Sequence, residues 1–363
     1  MGTTNVVEQM HHTIAGASVF AAPVRQISRL VYAGVRGVTR VVGLTVDQAL
    51  LQLAPLLGDA EPGPEVLAAT AALNGVIGDL LERTGNALAQ PLELHPRGAT
   101  SPRVVVLVHG SSMNDLQWLR QGHDHGAALE RDLGLSPVYV RYNSGLHVST
   151  NGQRLAAELE RLDEGWPVPL EELVLVGFSM GGLVARSACH AAEVAGLGWR
   201  RKLTSLVCLG TPHHGSPLER AGSWADAALE VSRYSAPIAL LGKVRSEGVT
   251  DLRFGFVLDS HWRGRERFEL GVDERAPLPL PAGVRCFAIA ATQSSVSGPR
   301  LRSDGLVPVD SALGVHRAPH LHLQFPSEHQ QVVYAARHLD LLSSPVAYAT
   351  LKEWLSAFSA RPP

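Results

Sequence analysis

The sequence predicts an α/β fold in which a mostly parallel central sheet is covered by helices on both faces. Two observations carry that expectation. From about residue 99 onward, apolar β-branched runs of strand length alternate with helical stretches, the pattern of helices stacked on a parallel sheet. The first 95 residues lack such runs and read as helices broken by Gly and Pro. A helical N-terminal extension, residues 1–98, is therefore expected before an α/β domain, residues 99–363. The stretch Leu92-Glu93-Leu94-His95-Pro96-Arg97-Gly98 reads as the connection between them.

The elements follow in order. Residues 103–108 form a continuous apolar run, as a strand buried on both faces requires. Residues 138–142, 173–177, 203–209, 284–290 and 331–335 are five further strand candidates. Helices are expected over 126–132, over 151–163 after Ser149 and Thr150 as capping residues, over 182–195, and over 346–358 at the end. The interval from 215 to 282 is too long for a simple connection. A cap insertion over 216–283 is expected there, with a helix at 218–241 offering Trp224, Leu229 and Ile238 as an apolar lid. The competing reading of that helix is a peripheral insert.

Within the extension, residues 9–46 contain no acidic side chain. Arg25, Arg29, Arg36 and Arg40 fall within about a 60° arc of a helix, opposite Ile27, Leu30, Val31, Val38 and Val41. This cationic amphipathic helix suits a peripheral membrane contact, part of an organelle transit peptide, or packing on the catalytic domain with its arginines in water. A second helical pattern runs from Glu65 to Leu88 and is expected to break near Gly75–Gly78, because glycine weakens a helix interior.

Bulk composition narrows the partners. A net charge of -2 over 363 residues supplies no field that would draw nucleic acid. Cys189, Cys208 and Cys286 each sit in apolar sequence, an odd count that fits free buried thiols in a reducing compartment. No apolar run approaches the ~18 residues that span a bilayer, and the first residues lack a secretory pattern, so the expected setting is cytoplasmic. His213-His214 and His123-Asp124-His125 lack a visible set of four suitably spaced metal ligands; neither metal nor cofactor is expected.

The chemistry centres on Gly177-Phe178-Ser179-Met180-Gly181, a G-x-S-x-G match. Chance alone supplies about 0.25 such matches in a chain with this many Gly and Ser. Its position gives the motif its weight. It directly follows a strand and opens a helix, so the turn presents the Ser179 hydroxyl above the sheet and aims the helix N-terminus at the same spot. Upstream, Val108-His109-Gly110-Ser111 ends the first strong strand, where this kind of site draws a second oxyanion donor. The expected donors are the backbone N–H groups of Ser111 and Met180. A serine needs a base, and the base needs an acid to fix its tautomer. Asp304, in Ser303-Asp304-Gly305-Leu306-Val307-Pro308, is the expected acid, with Asp310 as competitor. His338, just after the last apolar strand, is the expected base, with His329 as runner-up among the five downstream histidines.

These stretches, together with Leu209-Gly210-Thr211-Pro212-His213-His214-Gly215-Ser216 and His338-Leu339-Asp340-Leu341-Leu342, resemble lipases and esterases of the α/β-hydrolase superfamily. The resemblance is closest to bacterial lipase-like proteins related to the GPI inositol-deacylase family, and it covers residues 103 to about 358. It implies the α/β-hydrolase fold, a triad of Ser179, Asp304 and His338, and an ester or lipid-like small-molecule substrate. Where lipases of this type often carry an apolar residue after the first His-Gly, this chain has Ser111. The expected activity is carboxylic-ester hydrolysis through an acyl-enzyme on Ser179. The alternatives are acyl transfer by the same triad, or a non-catalytic relic that binds a membrane or partner.

Overall fold

The structure is a computed structural model that describes residues 63–216, 246–265, 273–296 and 302–356. The cationic helix expected around Arg25–Arg40 and the lid helix expected at 218–241 lie outside the described residues.

The strands that sequence patterning anticipates all form, shifted by a residue or two. They are β2 (Arg103–Val108), β3 (Ser136–Arg141), β4 (Glu172–Phe178), β5 (Leu203–Leu209), β6 (Arg285–Ala291) and β7 (Gln330–Val333). A further strand, β1 (Glu93–Pro96), occupies the stretch expected as a connection. The described strands make one sheet of order β1-β3-β2-β4-β5-β6-β7, parallel except for β1. Short and half-exposed, β1 has no apolar run to announce it; its place is set by pairing with β3, Glu93 opposite Arg141 through Pro96 opposite Val138.

The helices are α1 (Pro64–Arg83), α2 (His125–Leu133), α3 (Val148–Gly165), α4 (Met180–Ala195), the short α5 (Glu247–Asp251), α6 (Asp259–Trp262) and α7 (Val309–Ala312), and the closing α8 (Pro345–Ser356). Local chemistry sets several ends. The Asp124 carboxylate accepts from Ala127 N and starts α2, and Gly134 at φ 68° ends it. The start of α3 corrects the expectation that Ser149 and Thr150 cap it. The helix begins at Val148, whose N–H donates to the Asp251 carboxylate at 2.8 Å, while Ser149 lies inside and accepts from Trp262 Nε1. Its cap thus comes from more than a hundred residues away.

Core side chains fill both faces of the sheet. One face packs Val104, Val106, Val138, Leu173 and Leu175 against α3 and α4; the other packs Val105, Leu107, Val174, Val176 and Ile289 against α2 and α8. Central strands buried on both sides explain their unbroken apolar sequence.

α1 breaks where expected, with Ile77 at φ -133°, ψ 19° between Gly75 and Gly78. At 20 residues α1 is long enough to cross a membrane and reaches a mean hydropathy of 1.2, but charged residues interrupt it and no uncharged run in it nears ~18 residues. In the structure Ala71, Ala72, Val76 and Leu81 are buried, and the helix is docked on the sheet domain.

Candidate active site

All the parallel strands point their C-terminal ends at one edge of the sheet, where crevices collect ligands in open α/β folds. Ser179 stands there at the end of β4 with φ 54° and ψ -124°, a conformation L-residues rarely adopt. The surrounding atoms impose that turn. Ser179 N donates to Leu209 O at 2.8 Å and Gly182 N donates to Ser179 O at 3.1 Å. A Cβ on Gly177 would stand 2.5 Å from Gly182 Cα, and one on Gly181 would stand 2.5 Å from His109 O. The two glycines of the motif are present because strand, turn and neighbouring loop leave no room for a side chain.

β6 and β7 deliver the other two groups. Asp304 is fully buried; its Oδ1 accepts from Leu306 N at 2.9 Å and Val307 N at 2.7 Å. Its Oδ2 accepts from His338 Nδ1 at 2.7 Å, and its backbone carbonyl accepts from His338 N at 3.1 Å. The imidazole is 1% exposed and packs against Phe178, ring centres 4.9 Å apart. Nδ1 is thus occupied as a donor, which leaves Nε2 as the nitrogen able to take a proton. Ser179 and His338 line one cleft with Gly110, Ser111, Met113, Pro212, Leu252 and Val307. The structure therefore brings together Ser179, His338, Asp304 and Ser111, residues that span more than two hundred positions of chain.

The competitors lie elsewhere. Asp310 is exposed in α7. His329 has its ring on Phe287 and its Nδ1 3.1 Å from Cys286 O, and His320 and His322 are exposed. His316 sits beside His214 and Asp273.

The loop after β2 passes close over Ser179, since a Cβ on Gly110 would stand 3.1 Å from Ser179 Cβ. Met180 is the first residue of α4, where an N–H has no intrahelical acceptor. Among the described residues no backbone carbonyl takes the Ser111 N–H. Neither amide thus has a backbone acceptor among the described residues. His109 anchors this loop: its ring stacks on Tyr142 at 4.3 Å, its Nδ1 donates to Gly110 O at 2.7 Å, and Tyr142 Oη donates to His109 O at 2.8 Å. Burial pushes the His109 pKa down to about 4, so the ring is neutral at physiological pH.

The two histidine pairs are occupied by polar partners. Arg186 approaches His213 Nδ1 at 3.3 Å and Arg275 donates to His214 Nδ1 at 2.6 Å. Burial, followed by those guanidiniums and the neighbouring imidazoles, holds both histidines well below their ordinary pKa. His123 Nε2 meets His125 Nδ1 at 2.8 Å, and His125 Nε2 donates to Leu341 O at 2.9 Å, which ties α2 to the turn that carries His338. The three cysteines are buried and unpaired; burial pushes the Cys189 and Cys208 thiols up to about 12, so they remain protonated and unreactive.

Sequence reasoning missed Ser112, Asn143, Ser144 and Asp251. Asn143-Ser144-Gly145 follows β3 at the same sheet edge, and that position was the one available signal. Asp251 carried none, because its partners are remote in sequence.

Residues 100–264 match the family model described as PGAP1-like alpha/beta domain. No curated protein matches the chain. Among solved structures, the mature form of Bacillus licheniformis lipase BlEst2 is 18% identical, with 73% of this chain and 97% of that chain covered at a TM-score of 0.46. A lipase-esterase related protein from Clostridium acetobutylicum is 13% identical over 74% of this chain and 99% of that chain, TM-score 0.39. A type II thioesterase from the yersiniabactin biosynthetic pathway is 17% identical over 73% of this chain and 98% of that chain, TM-score 0.42. The family match bears out the resemblance drawn from the motifs, and the fold is that of an α/β hydrolase.

Proposed function

We propose that this chain, which carries a PGAP1-like α/β-hydrolase domain, cleaves carboxylic esters through an acyl-enzyme on Ser179. The observation that carries the reading is the 2.7 Å hydrogen bond from His338 Nδ1 to buried Asp304, beside a cleft that His338 shares with Ser179. In this reading Ser179 Oγ bonds to the carbonyl carbon as its proton passes to His338 Nε2. The carbonyl electron pair moves onto oxygen, which is met by the amides of Ser111 and Met180. The C–O bond to the alcohol then breaks, and His338 returns its proton to the departing alcohol. Water, deprotonated by the same histidine, attacks the acyl-enzyme and releases the acid.

The mostly apolar lining of the cleft, with Met113, Phe178, Leu252, Leu306 and Val307, supports an ester or lipid-like substrate. Residues 99–363 act as the hydrolase domain in this proposal, 216–283 as its cap insertion, and 1–98 as an extension whose described part packs α1 on loops at the sheet edge and adds β1 to the sheet. Acyl transfer uses the same groups with an alcohol or thiol in place of water, and product analysis with competing acceptors separates the two. Ser179→Ala is expected to abolish p-nitrophenyl butyrate turnover and fluorophosphonate labelling while leaving the far-ultraviolet circular dichroism unchanged. Full turnover by that variant would sink the proposal, and a wild-type protein that takes no fluorophosphonate at Ser179 would favour the relic.

A further inference from the structure

The oxyanion loop is gripped from outside by an element that the family match does not reach. α1 (Pro64–Arg83) precedes the matched residues 100–264, yet its break sits on the loop that carries Ser111. A Cβ on Gly75 would stand 2.7 Å from Ser112 Cβ and 2.8 Å from Ser112 Cα, so the α1 backbone touches the residue next to the proposed donor. Ser112 holds φ 60°, and its N–H donates to Ser144 Oγ at 2.9 Å. The loop bearing Ser144 is held by the same helix: Asn143 Nδ2 donates to Gly78 O at 2.9 Å, and a Cβ on Gly145 would stand 2.9 Å from Gly78 Cα. Ser246 Oγ closes the ring by donating to Gly75 O at 2.6 Å, and Gly248 N donates to Gly145 O at 3.0 Å. The α1 carbonyls at 75 and 78 thus serve partners outside the helix, which accounts for the kink at Ile77.

From this we infer that α1 positions the oxyanion hole: Gly75 and Gly78 let the extension lie against the loops carrying Ser112 and Ser144 and hold the Ser111 amide in place over Ser179. The residues act through Ser111 and so are positioning residues. Ser112 gains nothing locally from a positive φ, and its buried hydroxyl has no partner among the described residues. Such a conformation persists only when its surroundings over-determine it, and α1 with Ser144 supplies that constraint. The inference rests on the ester-hydrolase reading, because only there does the Ser111 amide have an oxyanion to meet.

Gly75→Ala is the test, in the full chain with p-nitrophenyl butyrate. The added methyl forces Ser112 away by about 0.7–1.3 Å to reach the ~3.5–4.0 Å of ordinary carbon contact, and a donor misplaced by about 1 Å costs on the order of 10²-fold in rate. Because the amide is used in the transition state more than in the ground state, kcat is expected to fall about 10²-fold while KM stays within about threefold. A folded Gly75→Ala protein with kcat within about twofold of wild type overturns the inference. If Gly75→Ala does not fold, Ser246→Ala decides, since it removes the 2.6 Å tie to Gly75 O without adding bulk. For that variant a kcat about three- to tenfold lower at unchanged KM supports the buttress, and an unchanged kcat overturns it. A wild-type protein that neither turns over ester nor takes a fluorophosphonate overturns the hydrolase reading and this inference with it; an active wild type beside unaffected variants overturns the inference alone.

Discussion

Replacing Asp304 with Asn alters little in shape, but it reverses one hydrogen-bonding sense in the buried site. Oδ1 of Asp304 accepts from two amides, Leu306 N at 2.9 Å and Val307 N at 2.7 Å, while Oδ2 accepts from His338 Nδ1 at 2.7 Å. In the Asn side chain the oxygen must take the Oδ1 place. The opposite flip would set its NH2 group against two N–H donors, at about 1–3 kcal/mol for each donor left unmet. The Asn NH2 therefore faces His338 Nδ1 and donates to it. The imidazole answers by carrying its proton on Nε2, the nitrogen that accepts the proton of Ser179 in the proposed mechanism. A triad locked in the wrong tautomer loses about 10⁴ in kcat, some 5 kcal/mol of transition-state stabilisation. The assay is kcat/KM for p-nitrophenyl butyrate at neutral pH, with thermal melting to establish that the variant is folded. Asp310→Asn, at an exposed position in α7, serves as the comparison and is expected to stay within about twofold of wild type. A folded Asp304→Asn protein within about tenfold of wild type would rule this out, because no such tautomer penalty could then be operating.

Two further outcomes follow from burial. His109 and His125 are buried with pKa values pushed down to about 4, below the ~6.5 of the unfolded chain, so the unfolded state binds the extra protons between those values. Stability is then complete above pH ~6.5 and falls as the pH drops toward 4, by up to about 3 kcal/mol for each histidine. Urea midpoints at pH 7.5 and 4.5 measure the loss, and equal midpoints would contradict it. Asp251→Ala removes the remote cap of α3 and the carboxylate beside His147 Nδ1 at 3.0 Å. It is expected to cost about 2 kcal/mol in urea unfolding, whereas a change under about 0.5 kcal/mol would mean that water replaces the cap.

Much of the fold was legible because burial leaves its mark locally. β2 and β4 are apolar along their length since both faces are covered, and that is visible without knowing what covers them. Gly177 and Gly181 were legible for a related reason: a strand-to-helix elbow has one steric solution, and the sequence writes it in adjacent letters. The order of Ser179, Asp304 and His338 along the chain was likewise readable from strand positions. β1 was not, because its residues carry little burial of their own and adopt the strand by pairing with β3. The start of α3 was misread because the local Ser149 and Thr150 offered a cap that Asp251 supplies from a distance.

The strand series, the elbow around Ser179 and the Asp and His candidates downstream of it could be read along the chain, since each depends on neighbours within a few residues or on uniform burial. Tertiary structure alone decided which histidine meets an acid, because only the sheet edge brings His338 to Asp304 and leaves His329 on Phe287. It also decided what holds the loop of Ser111, through contacts from Gly75, Gly78 and Ser246 that no local pattern encodes. The physical reason is the range of the forces involved: propensity and periodic burial are set along the chain, while hydrogen bonds and close packing depend on which distant atoms the fold brings within about 3–4 Å.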